Sequence, residues 1–423
     1  MNRFTDFLNS DVGMLARYRK RKHRRVHIHI DGIEPQSKKM SAGERDKFQA
    51  AVAEQLISAK RATFRGDVAL KLDLVTTSRN APQAHTIAKN LLDLLSERRP
   101  GVKWPRDHLL YKDDRQIQSL SVSCRHGERY PSIRGEARPF AAMLDDLELA
   151  AKAVHVAEMS SDALYREDRD TDWIDTLRDL KQSEADARRR LGDDTYDAYL
   201  KMIRWNAQRA LLGRSGVTIP VLSWMYGLPR GIPMGLGRDE WAKLVGASKL
   251  RLQVGELPIA TGGSDVFKQT VMAEIHAFKQ RWDWIINPLV VAVALEVVVR
   301  PNPATPAAVL HDLDNIVRDY LLPGIVPSFG TVSDHRWTID FNELERTNPK
   351  LAASWVSNPT PPPGTKWGVT RYEVWRLPAV VGEPGFVSVA LVADMDARGD
   401  LMDQIDENIR TWATSNGRDY RRW

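Results

Sequence analysis

The sequence predicts an α+β protein made of two tandem copies of one α+β unit, fused through a helical spacer. Three observations predict it. The order strand, helix, strand, helix, strand occurs once in residues 26–143 and again in residues 249–393. The strands alternate apolar and polar residues or are continuously apolar, as half-buried and fully buried strands do. The segment between the copies carries a 3.6-residue apolar period instead.

The first unit opens with the strand VHIHI (26–30). Ser41 followed by Glu44 is a capping box, and Phe48, Val52, Leu56 and Ile57 continue that helix at helical spacing. A strand VALKLDLV (68–75), a helix HTIAKNLLDLL (85–95) and a strand IQSLSVSC (117–124) complete it. The spacer, 144–248, reads as several helices and then a Gly/Pro loop, GLPRGIPMGLGRDEW. That loop lacks the spacing and the Lys-Ser/Thr pair of a phosphate loop. In the second unit come KLRLQV (249–254), a helix carrying Val266, Phe267, Val271, Ile275 and Phe278, and the strand VVAVALEVVV (290–299). The helix DNIVRDYLL (314–322) follows, then an insertion (323–368) containing the stiff stretch NPTPPPG. Alternation on either side of GEPG predicts an antiparallel hairpin over 369–392. Residues 1–25 form a basic N-terminal arm, and 394–423 a C-terminal helix with a basic tail.

Composition narrows the class of protein. The 423 residues carry a net charge of +6 and a single cysteine, Cys124, which excludes an internal disulfide and fits a reducing compartment. The most apolar stretch, residues 285–299, contains Pro288 and Glu296 and is too short to span a bilayer. It reads as a buried strand. The N-terminus lacks the apolar core of a secretory signal, so a cytoplasmic protein without membrane contact is expected. Residues 17–25 hold seven cations: Arg17, Arg19, Lys20, Arg21, Lys22, Arg24 and Arg25. Such a run attracts nucleic-acid phosphates, or stands as a solvated arm. The spacer is acidic by contrast (DDLE, REDRDTD, GDDTYD) and is a candidate surface for a protein partner.

The acidic pair Asp312 and Asp314, followed by Asn315, has two readings. One carboxylate caps the helix while the other favours its dipole, or both hold a metal ion from an extended strand-to-helix turn. Asp113–Asp114 is likewise a turn before a strand, or a pair of ligands. Thirteen tryptophans are many for this length, and Trp282, Trp284, Trp367 and Trp375 lie among Arg and Lys. They stack on unpaired bases or fill a core.

The strand LEVVV, the loop after it, Asp312-Leu313-Asp314-Asn315 and the helix beyond resemble the RusA family of Holliday junction resolvases. That family continues with a Lys in the first helical turn, an Asp-Asp pair and a final hairpin. The resemblance implies small Mg²⁺-dependent nucleases for branched DNA, here fused as a pseudo-dimer. Neither copy holds the full motif. The second keeps Asp312, Asp314 and Asn315, has Arg318 for the Lys, and has Thr365–Lys366 for the Asp-Asp pair; Asp334 is a candidate substitute. The first keeps Lys89, Asp113 and Asp114 but has Gln83, His85 and Thr86 at the Asp-x-Asp-Asn positions.

The resemblance therefore implies a catalytic set of Asp312, Asp314, Asp114 and Lys89. The Mg²⁺ ligands would be Asp312, Asp314, Asp113 and Asp114, with Arg318 and the Arg17–Arg25 run on nucleic acid. The function expected is Mg²⁺-dependent cleavage of branched or structured DNA, resting on Asp312 and Asp314, with Asp113, Asp114 and Lys89 contributing if the two halves form one composite site. The alternative is a catalytically degenerate nucleic-acid-binding or scaffold protein working in a larger complex.

Overall fold

The computed structural model describes residues 10–78, 81–158, 164–229, 236–258, 264–291, 293–329, 371–393 and 399–415, with Phe7, Arg346, Pro349 and Val369. The chain is α+β. Its first half supplies strands β1 (Val26–Asp31), β2 (Val68–Val75), β3 (Ile117–Arg125) and β4 (Ser132–Pro139). The second supplies β5 (Arg251–Gly255), β6 (Val293–Arg300), β7 (Arg371–Arg376) and β8 (Phe386–Ala393). All eight join one mixed sheet in the order β1-β4-β2-β3-β7-β6-β8-β5.

Each half repeats the other's pairing. β1–β4 and β4–β2 are antiparallel and β2–β3 is parallel. β5–β8 and β8–β6 are antiparallel and β6–β7 is parallel. The halves meet where β3 runs antiparallel to β7, with Ser121 opposite Glu373. This arrangement relates them by a pseudo-twofold axis.

The predicted hairpin over 369–392 does not form, because β6 lies between β7 and β8. Alternation reports that a strand has two faces, not which strand lies beside it. β6 is buried at every residue, and such a strand needs a hydrogen-bonding partner on each edge. In the first half β2 separates β3 from β4 in the same way, and β4 itself has no clear apolar pattern in the sequence. The stretch 285–299 also divides: Ile285 and Ile286 end a helix, and the strand begins at Val293.

Two helical layers cover the sheet. Leu70, Leu72, Leu74, Leu120 and Val122 face one core. Against them pack α2 (Ala42–Ser58), α3 (Ala84–Ser96) and α10 (Ser264–Ile286). α11 packs there too; it starts at Leu313–Asn315, passes through a π-turn over Ile316–Leu321 and ends as Leu322–Ser328. Pro323 has no N–H to return to Asp319, and Leu322 donates instead to the Val317 carbonyl five residues back. The opposite face, with Ala69 and Trp375, is covered by α1 (Asp11–Lys22), α4 (Phe140–Glu158), α8 (Ile219–Met225) and α12 (Leu401–Ser415).

The spacer is built into this packing. α4 and α8 lie on one face, while α5 (Leu164–Gln182) and α7 (Asp193–Gly213) bring Leu177, Tyr196, Ile203 and Ala207 to the other core. Some spacer acids already have a cation, since Arg188 meets Glu184, Asp193 and Asp197. Among the described residues no helix is long and apolar enough to cross a membrane.

The basic run does not stand apart as an arm. Most of it forms α1, anchored by buried Leu15 and Tyr18. Arg25, which begins the approach to β1, is only 3% exposed. Its guanidinium lies 3.0 Å from Asp146, 3.1 Å from Glu136 and 2.8 Å from Asp406. Arg21 Nε donates to Asp146 at 2.7 Å, and Arg138 reaches the same carboxylate at 2.8 Å. The expectation that Arg21 and Arg25 bind nucleic acid is thus corrected: both are held by buried carboxylates, which unpaired cations there require. Arg17, Lys20, Lys22 and Arg24 are exposed and Arg19 is half-buried.

Candidate metal centre between the two halves

Asp312 occupies the N-cap position of α11 with extended backbone (φ −63°, ψ 143°), and Asp314 lies in the first helical turn. The capping account requires the Asp312 side chain to accept a backbone N–H. It does not; it accepts instead from the Asn315 side-chain amide at 2.9 Å. Asp314 is 2% exposed. The first half brings in Asp114, which opens a short 3₁₀ turn (Asp114–Gln116) immediately before β3.

One carboxylate oxygen each from Asp114, Asp312 and Asp314 lie within 4.8 Å of one another. Lys89, on α3, reaches over this cluster. Its Nζ stands 2.9 Å from Asp114, 3.6 Å from Asp314 and 3.1 Å from Asp93. The site is therefore composite, with Asp114 and Lys89 from one half and Asp312 and Asp314 from the other.

Three carboxylates face the Lys89 ammonium, with the Arg318 guanidinium 3.9 Å from Asp314, so negative charge is in excess, and the titration of the groups reflects it. Burial pushes Asp314 up to about 6, and Asp114 and Asp312 push in the same direction against Lys89. Burial, then Asp114, raises Asp312 as well. Burial opposes the charge on Lys89, but Asp314 and Asp114 outweigh it and hold the ammonium above its ordinary value. Buried oxygens Asp314 Oδ2 and Asp114 Oδ1 accept no hydrogen bond from the described residues. Such atoms are costly unless something else meets them. An all-oxygen donor set with surplus negative charge suits a hard divalent cation such as Mg²⁺. Asp114, Asp312 and Asp314 are the residues that would hold it.

Two arginines tie the halves together beside these carboxylates. Arg376, at the end of β7, donates to the carbonyl of Arg115 at 3.3 Å and to the carbonyl of His311. Arg115 donates to the Ala308 carbonyl at 2.6 Å. Each contact links a residue adjoining Asp114 to the segment leading into Asp312. Nothing in the sequence marks either arginine, because their roles depend on a strand pairing between residues far apart in the chain.

Other expected site residues fall elsewhere. Asp113 does not join the carboxylate cluster; it caps the 3₁₀ turn and is taken by the guanidinium of Arg115, at 2.8 and 3.0 Å from Nε. That contact holds Asp113 below the usual carboxylate range. Arg318 is bound to Asp319 at 2.7 Å and to Asn315 at 2.7 Å, so it is a helix-surface partner rather than an open phosphate contact. α1, with its cations, packs on the sheet face opposite to α3 and α11. Trp375 is fully buried and cannot stack on a base, and Trp282 and Trp284 pack partly buried against the core. Asp334, Thr365, Lys366 and Trp367 lie outside the described residues. The chain matches no family model, no curated protein and no solved structure.

Proposed function

We propose that the chain is a divalent-cation-dependent endonuclease for branched DNA, with a RusA-like active site assembled across its two halves. The observation that carries this reading is the complementarity of the halves. Lys89 and Asp114 from the first meet Asp312 and Asp314 from the second in one cluster. Fusion of two copies of an ancestral unit accounts for both the repeated strand order and the divided motif.

A bound divalent cation supplies Lewis acidity toward a phosphodiester and activates water for attack. The protein's own residues do the rest. Asp114, Asp312 and Asp314 would hold the cation, with Asn315 orienting Asp312. Lys89, whose ammonium is favoured by Asp314 and Asp114, would offer positive charge to a phosphate.

The test is cleavage of a labelled four-way junction against linear duplex, with Mg²⁺ and with chelator, by wild type and Asp314→Asn. Mg²⁺-dependent, junction-selective cutting that disappears in the variant supports the proposal. Junction binding without cutting by wild type refutes the nuclease and assigns the fold to recognition.

A further inference from the structure

The pseudo-twofold axis that builds one acidic site also defines a second position, and the residues there are different in kind. Gln83 is the N-cap of α3 with backbone angles of −63° and 155°, nearly those of Asp312 at the N-cap of α11. Counting from the two caps, His85 stands where Asp314 does, Thr86 where Asn315 does, and Arg318 where Lys89 does. The electrostatic contacts obey the same exchange. Lys89 crosses from the first half to Asp314 of the second, and Arg318 crosses from the second half to act on His85 of the first.

We infer, resting on the nuclease reading above, that one chain cuts one strand: it is a nicking enzyme. A hard cation is held by carboxylate oxygens, whereas Gln83 offers a neutral amide and His85 a nitrogen. His85 is also half-buried and feels the charge of Arg318, which together outweigh Asp319 and disfavour any added positive charge. Arg318 itself is engaged by Asp319 and Asn315. Among the described residues the group Asp114, Asp312 and Asp314 is the one cluster of metal-ligating side chains. A substrate with two equivalent strands therefore meets one cutting position and one where the described residues form no cluster of metal ligands. Cutting the second strand needs release and rebinding in the other orientation, or a second chain.

The test uses the full-length protein, at a concentration where light scattering shows it monomeric, on a supercoiled plasmid that extrudes a cruciform. The products are resolved in time with Mg²⁺ present. The expected result is conversion to nicked circle first, with linear DNA appearing after a lag and slowing several-fold when unlabelled cruciform competitor is added after the first cut. Linear DNA formed without a nicked precursor and unaffected by competitor would overturn the single-strand assignment while leaving the nuclease standing. No cutting of any form by wild type would instead overturn the nuclease reading, and this inference with it.

Discussion

Two clusters of buried charge sit on opposite faces of the same sheet, and they are built to opposite rules. Beside α1, Arg21, Arg25 and Arg138 share Glu136, Asp146 and Asp406. Every cation there meets at least one carboxylate, Arg21 also lying 3.8 Å from Asp145, and Asp146 is contacted by all three arginines. Between α3 and α11, Asp114, Asp312 and Asp314 face Lys89, with Arg318 3.9 Å from Asp314, and two of their buried oxygens accept no hydrogen bond from the described residues. The balanced cluster holds helices to a sheet. The unbalanced one carries surplus negative charge that a divalent cation, as proposed above, would offset. Charge balance, more than burial, separates a structural ion-pair network from a candidate site.

Substitutions in the two clusters should have opposite consequences. The largest effect expected is on activity: Asp314→Asn and Asp114→Asn should each lower Mg²⁺-dependent junction cleavage at least ~100-fold, as removal of a principal charge-stabilising group does. Loss from only one of the two, measured in single-turnover assays, breaks the composite site. Next is stability on the balanced side. Asp146→Ala leaves buried Arg25 and Arg138 and half-buried Arg21 short of their shared carboxylate and should cost about 3–5 kcal/mol in urea unfolding.

The same kind of change in the unbalanced cluster should act in the other direction. In metal-free protein, Asp314→Asn should raise stability at neutral pH by roughly 1–3 kcal/mol, since a carboxyl held near 6 is costly to ionise in the folded state. The sign follows from its raised value. Asp314 disfavours folding progressively as pH rises from about 4 through about 6, and the Asn variant should lose that part of the wild-type pH profile. Added Mg²⁺ should raise the melting temperature of wild type and do so far less in the variant, by linkage. A destabilised Asp314→Asn protein would contradict the idea that the acids are there for something other than stability. The smallest effect is expected at Lys20→Ala and Arg24→Ala, exposed positions on the face away from the site, which should stay within ~0.5 kcal/mol of wild type.

How legible all this is in the sequence varies with the range of the interaction. The helices announce themselves locally: Ser41 and Glu44 form the capping box their spacing implies, and the stripe Ile87, Ala88, Leu91, Leu95 buries as its period requires. The site acids Asp312, Asp314 and Asp114 can be picked out by their order along the chain. That Asp113 is taken by Arg115 could not be, since it depends on which of two adjacent carboxylates faces the guanidinium in a turn. Nor is the burial of Arg25 visible in a run of cations, because the carboxylates that hold it come from α4 and α12, more than a hundred residues away.

The sequence by itself determined the class of the fold, the two strand-and-helix sets, and the residue types available for chemistry. Period and capping are properties of neighbouring residues, and they survive without a partner. Tertiary structure alone decided that β6 lies between β7 and β8, that β3 meets β7, and that Asp114 comes to lie beside Asp312 and Asp314. Those outcomes rest on edge-to-edge hydrogen bonding and on burying both faces of a sheet, which couple residues as distant in the chain as Ser121 and Glu373. A site divided between two such halves exists only once they have met.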